Sequence, residues 1–175
     1  MTDYLLGRTD PAAYLEDVRR KGAAYNGFNL IVGTTRQLYY HSNRKGGVIP
    51  LTPGLYGLSN HLLDTPWPKV AGGKAALGDL LARGEDPAPG ALFDILSDRA
   101  IAENGLLPDT GIGLEWERIL SARFIVSPVY GTRSSTLLYV DRQDRVTLIE
   151  RNYNASPEPR DTVRFEFDVS RSDAA

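Results

Sequence analysis

A chain of 175 residues with 42% hydrophobic and 24% charged side chains has the size and composition of one globular domain with a real core, which excludes a disordered or fibrous segment. The 20 basic and 22 acidic residues leave a net charge of −2, so the chain lacks the basic footprint of a nucleic-acid or acidic-membrane binder. Cysteine is absent, which excludes disulfides, thiolate metal sites and cysteine nucleophiles; there is no apolar run of about 18 residues to span a bilayer and no signal pattern, and the reading is a cytoplasmic protein.

In chain order, Asp10-Pro11 reads as a cap and first-turn proline, and Leu15 and Val18 give a helix that stops at Gly22. Residues 28–32 are a nearly continuous apolar run of strand length, which predicts burial on both faces. Residues 34–37 turn the chain and 38–41 return as a second strand, a hairpin. The polar stretch Ser42-Asn43-Arg44-Lys45-Gly46-Gly47 holds paired glycines, but it has no Walker spacing and opens no helix; it reads as a loop. Pro53-Gly54 predicts a turn, residues 55–59 a short strand, and Asp64 or Thr65 caps a helix with Pro66 in its first turn, running through Val70, Ala71, Leu77 and Leu81. Asn60 therefore falls at a strand-to-helix junction.

Ala91, Leu92, Ile95 and Leu96 mark another amphipathic helix, and residues 98–113 are a turn-rich excursion. Leu114, Ile119 and Leu120 predict one or two helical turns before Phe124-Ile125-Val126, read as a buried strand. Residues 137–140 and 146–151 form a second hairpin about Asp141-Arg142-Gln143-Asp144. Val163, Phe165, Phe167 and Val169 alternate with charged residues, the period of a strand with one wet face, and residues 170–175 should fray. Strand pairs separated by a block of helices indicate an α+β fold, a single domain over residues 1–175 in which 154–175 supply a C-terminal strand and tail.

Three segments carry a family resemblance. Tyr56-Gly57-Leu58-Ser59-Asn60 followed by Leu63-Asp64-Thr65-Pro66-Trp67-Pro68-Lys69-Val70, the pair Gly27-Phe28-Asn29-Leu30-Ile31-Val32-Gly33 and Tyr40-His41-Ser42-Asn43-Arg44, and Tyr130-Gly131-Thr132-Arg133-Ser134-Ser135-Thr136 resemble, in order, motifs of the NRDE or transport-and-Golgi-organisation protein family. The likeness runs from about Asp3 to Tyr153. It departs at the start, because the family's opening Met-Cys and its Asn-Arg-Asp-Glu motif are absent. The expectation is thus the C-terminal larger part of such a domain, lacking its N-terminal segment. The resemblance implies an αββα sandwich like that of the N-terminal-nucleophile hydrolases, incomplete at the N-terminus. It also implies an amide or acyl hydrolase, inactive without its nucleophile; the alternative is a non-enzymatic binding or trafficking protein for haem or an amphipathic acyl compound.

The candidate residues are few. Asn60 either bonds the turn backbone or aims its amide into a cleft; related amide hydrolases use an Asn at a similar junction as oxyanion donor. Arg133, among small hydroxyl residues before a strand, can pair with a carboxylate or developing charge, or else bond loop carbonyls. Thr2 has the chemistry of an N-terminal nucleophile but precedes a capped helix rather than a buried strand. His41 and His61 fall short of a metal site, so no metal and no dedicated cofactor are expected. The family's association with haem trafficking leaves His61 as an axial-ligand candidate for haem. Trp67 and Tyr130 read as core anchors, with ligand stacking as the other reading. The expected partners are a small-molecule amide, an acyl compound or haem, with no nucleic acid and no membrane span, and with self-association through exposed sheet edges.

Overall fold

A computed structural model describes residues 2–84, 86–154 and 156–169. The chain is α+β and divides into two compact units, Met1–Thr65 and Pro66–Ala175, each built of helices and one three-stranded antiparallel sheet.

In the N-terminal unit, α1 (Thr2–Leu6) precedes α2 (Pro11–Lys21). Asp10 caps α2 as expected, its Oδ1 accepting the Ala13 N–H at 3.0 Å, and Arg19, Arg20 and Lys21 in the last turn face the negative end of the helix dipole. Leu15 is fully buried where α2 packs on the sheet formed by β1 (Asn29–Gly33), β2 (Leu38–Ser42) and β3 (Val48–Leu51). The turn between β1 and β2 is closed by Thr34, whose N–H donates to Gln37 O at 2.9 Å and whose hydroxyl accepts from the Arg36 and Gln37 amides. Gly33 is required there, since a Cβ would lie 2.2 Å from the Gln37 carbonyl oxygen.

Three expectations change in this unit. The residue 28–32 run is not buried on both faces: Val32 is buried, but Ile31 is 40% exposed, because α2 covers only one side of the sheet. A third strand, β3, pairs with β2 although Pro50 hides it in the sequence; at the sheet edge its missing N–H costs no ladder bond. Gly46 and Gly47, both at positive φ, turn β2 into β3. Finally, residues 55–59 form no strand. The Asp64 N–H donates to Gly57 O and the Gly57 N–H to the Asp64 carboxylate instead, closing a loop.

In the C-terminal unit, α3 (Pro68–Leu81) starts two residues later than expected, with Trp67 at the N-cap and Pro68, not Pro66, in the first turn. It is followed by α4 (Pro89–Leu96), α5 (Leu114–Leu120) and a sheet of β4 (Ser134–Val140), β5 (Arg145–Tyr153) and β6 (Pro159–Asp168), in that order. Phe93 of α4 packs on Leu137 and Ile149 with Leu92, Leu96 and Tyr139 around them, which covers one face of the sheet. Gly72 and Gly73 of α3 leave room for Arg123, whose Nε donates to Ile95 O at 2.9 Å and whose guanidinium binds Asp98.

Two further corrections concern strands. Residues 124–126 make only an isolated bridge from Val126 to Gly131, so Phe124 is buried while Val126 is half exposed. β6 has the expected alternation, yet its apolar side chains are not covered: Phe165 is 58% and Phe167 54% exposed, and Leu138 of β4, on the same face, is 64% exposed. The fraying expected for 170–175 lies outside the described residues. Among those residues no helix is long and apolar enough to cross a membrane.

Candidate functional site

One concave feature of the C-terminal unit lies where residues 124–133 fold back on themselves. Ile125 N–H donates to Thr132 Oγ1 and Thr132 N–H to Ile125 O, both at 2.9 Å. Beyond them Ser127 closes the tip, its N–H and hydroxyl donating to Tyr130 O at 3.0 and 2.7 Å while its Oγ accepts the Tyr130 N–H at 3.0 Å. The two arms approach so closely at Gly131 that a Cβ would stand 3.1 Å from Ile125 O. This loop, with Arg133, Asn154 and Ser156, lines a half-open cavity of 340 Å³.

Arg133 is fixed at its base, since its carbonyl accepts the Tyr153 N–H at 2.8 Å, the next rung beyond the β4–β5 ladder. Its side chain is exposed on the cavity wall, and its guanidinium makes no hydrogen bond or ion pair with a described residue. Of the two roles open to Arg133, bonding of loop carbonyls is therefore absent from the geometry. Ile125, Val126, Pro128 and Val129 supply apolar wall, and Tyr130, 53% exposed, meets Trp116 edge-to-face at 6.3 Å. Tyr130 is thus not a core anchor. A cation beside an apolar wall suits an amphipathic anion: carboxylate or phosphate oxygens match the guanidinium fork, and a hydrocarbon chain covers the wall.

Asn60 and His61 belong to the N-terminal unit. Asp64, at φ 59°, accepts the Gly57 N–H on its Oδ1 and donates its own N–H to Gly57 O, both at 2.8 Å. The enclosed loop is tied to β1 and β2: Asn29 Nδ2 donates to His61 O at 2.8 Å, and the Tyr40 hydroxyl, which donates to Asn29 Oδ1 at 2.6 Å, accepts the Leu63 N–H at 3.1 Å. Asn60 rides on this loop, exposed, with no side-chain hydrogen bond to a described residue. Its amide is not consumed by the turn. The exposed His61 ring places Nδ1 2.8 Å from Thr65 Oγ1. That hydroxyl also donates to Leu62 O at 2.9 Å.

His41 is a core residue instead, 1% exposed, with Nδ1 2.7 Å from Gly47 O. Trp67 is half buried at the head of α3, and Lys69 Nζ lies 6.0 Å from its ring centre. Lys69 escaped the sequence reading. Its ammonium donates to Leu120 O at 2.8 Å, and burial pushes it below the ordinary lysine range while Glu117, itself buried, acts in the opposite sense. The available signal was a basic residue in the first turn of a helix, where the dipole disfavours positive charge unless a tertiary partner holds it. Among the described residues no three His, Cys, Asp or Glu side chains gather as a metal site.

The family model for Transport and Golgi organisation 2 matches residues 1–155. The chain is similar to the Transport and Golgi organization protein 2 homolog of Bos taurus, 34% identical over 181 residues, covering 95% of this chain and 66% of the relative. It is equally similar to the homolog of Homo sapiens, 34% identical over 165 residues, covering 87% of this chain and 60% of the relative. The Transport and Golgi organization 2 homolog of Mus musculus is 34% identical over 179 residues, covering 95% and 63%. The chain thus spans between 60% and 66% of the length of these relatives.

Proposed function

The chain belongs to the Transport and Golgi organisation 2 family, and from that premise we propose that it binds an amphipathic acyl compound whose anionic end is held by Arg133. The observation that carries this reading is a guanidinium without a described partner on the wall of a 340 Å³ cavity with apolar residues beside it. A planar fork on a fixed backbone recognises a carboxylate or phosphate in two parallel hydrogen bonds, and the bared valines and Tyr130 take the chain.

A second reading, hydrolysis of a linear amide or acyl compound by the whole protein, is favoured by Asn60. An exposed amide that the loop itself does not use is available to a developing oxyanion. The αββα arrangement that accompanies this chemistry is part of the proposal. What supports it is the construction of each unit, helices on one face of a three-stranded sheet and apolar side chains on the other. Thr2 lies in the exposed helix α1 and is given no nucleophilic role. Haem is the alternative ligand, with the exposed His61 as its axial residue. A cytoplasmic site of action goes with all three.

N-lauroylglycine tests the readings together, since it carries an acyl chain, a linear amide and a carboxylate. Followed by tryptophan fluorescence, it should saturate one-to-one. Arg133→Ala should weaken binding by roughly 10- to 100-fold, the worth of a charge-assisted hydrogen bond of about 1.5–3 kcal/mol, and Arg133→Lys should recover only part. Asn60→Ala should leave affinity unchanged while lowering any amide cleavage by about 10²- to 10³-fold. Wild-type affinity in Arg133→Ala overturns the acyl reading. Saturable haem binding that is lost in His61→Ala would put haem in its place.

A further inference from the structure

A second cavity of the C-terminal unit, 200 Å³ in volume, lies between the segment after α4 and the start of β6 and is lined by Ser97, Arg99, Phe124, Arg151, Tyr153, Pro157, Glu158 and Pro159. Two of those lining residues are arginines, and neither guanidinium forms a hydrogen bond or ion pair with a described residue. This sets them apart from their neighbours. Arg123 is held by Asp98, Arg160 by Asp161, and Arg164 by Glu166. The carboxylate closest in sequence to Arg99 is Asp98, which is already occupied by Arg123 and by the Ala100 N–H at 2.9 Å.

Arg151 is also preorganised. Its guanidinium carbon sits 3.9 Å from the centre of the Phe93 ring, in the middle of the core cluster, so one face of the cation is committed to the aromatic surface and little side-chain freedom remains to be lost. Pro157 and Pro159 stiffen the opposite wall. Glu158 is the lone carboxylate on the lining, more than 4 Å from either cation, which leaves the space with an excess of positive charge.

Two cationic side chains on the lining of one polar cavity, without an ion-pair partner among the described residues, repel each other unless an anion lies between them. We propose that Arg99 and Arg151 form a binding site for a phosphoryl dianion, separate from the Arg133 cavity and independent of the acyl reading. A dianion matches the charge of two guanidinium groups, and phosphate oxygens match their paired N–H edges. The same chemistry is offered by free inorganic phosphate and by a phosphomonoester on a larger molecule.

The test is titration of the 175-residue chain with inorganic phosphate at low ionic strength, read by calorimetry and by thermal shift. Saturable one-to-one binding is expected, weakened at least 10-fold in Arg99→Gln and in Arg151→Lys. The first substitution is at an exposed side chain, and the second keeps a cation near Phe93, so both variants should fold. Glu158→Gln should tighten binding several-fold. Arg133→Ala should leave phosphate affinity unchanged, which keeps the failure of one site distinct from that of the other. Glycerol phosphate binding more tightly than inorganic phosphate supports the site with a monoester as ligand, and the reverse order supports it with the free ion. Equal affinity for acetate and phosphate, or wild-type phosphate affinity in Arg99→Gln, overturns the assignment.

Discussion

Polar atoms in the two cores divide into those that found partners and those that did not. Ser42 donates to Phe28 O at 3.1 Å, and Asn43 ties together three parts of its unit by accepting the Phe28 N–H at 2.8 Å and donating to Gly22 O at 3.0 Å and Asn26 O at 3.1 Å. The Tyr139 hydroxyl is the opposite case, shut away from solvent with no hydrogen-bond partner among the described residues, and burial pushes its pKa above the ordinary tyrosine range. Its ring flanks the Phe93, Leu137 and Ile149 cluster, so the apolar part contributes packing while the hydroxyl contributes a desolvation cost of about 1–3 kcal/mol. Tyr139→Phe keeps the ring and deletes the orphan. Its melting temperature should equal or exceed that of the native chain, whereas a drop equivalent to about 1 kcal/mol in chemical denaturation would mean that the hydroxyl has a stabilising partner, such as a buried water.

At the scale of elements, what the sequence disclosed follows from how local each determinant is. Asp10-Pro11 and the hydroxyl turn at Thr34 act within a few residues, and α2 and the first hairpin were readable from them. β3 was not, because its pairing to β2 depends on edge placement that excuses Pro50. Residues 55–59 alternate like a strand but find no partner, and the Gly57–Asp64 closure that replaces pairing is a contact across seven positions whose key is the positive φ of Asp64. Asn60 and Arg133 were recognisable as residues, but the cavity beside Arg133 depends on a loop closed by Ser127 and Thr132, for which spacing gives no cue. The β5–β6 pair adds a pH-dependent clip. Asp161 is held below the ordinary aspartate range first by the Asn152 amide, at 2.7 Å, and then by Arg160; Glu166 is held below the glutamate range chiefly by Arg164. A depressed folded-state pKa means that the native state binds fewer protons, so this stabilisation is complete above the ordinary values of 3.8 and 4.5 and is lost as pH falls through the depressed ones. Both groups are exposed, and added salt should weaken the effect. Carboxyl NMR titration should show the Asp161 midpoint moving up in Asn152→Ala; an unmoved midpoint would remove Asn152 as the cause.

For the whole molecule, the uncovered sheet faces decide how it behaves in solution. In the C-terminal unit the β4–β6 face opposite α4 presents Leu138, Val140, Val163, Phe165 and Phe167, all more than a third exposed, and cross-strand register places them together: Leu138 and Phe165 both oppose Leu148, while Val140 and Phe167 oppose Val146. In the N-terminal unit Ile31, Leu38 and Ile49 are likewise exposed. Apolar side chains clustered by register differ from scattered ones, because a single association event removes them from water together, at about 25 cal/mol for each Å² of apolar surface. The expectation of self-association therefore moves from the sheet edges, where it was first placed, to these faces. Sedimentation velocity of the chain at increasing concentration should show a rising weight-average mass. The double substitution Phe165→Ser and Phe167→Ser should restore the monomer with little loss of fold, since both residues are already more than half exposed. Salt should strengthen an apolar association and weaken a charge-driven one, so the two are separable in a single series. A chain that stays monomeric at every concentration, or whose association is unaffected by the double substitution, would show that these faces are tolerated bare.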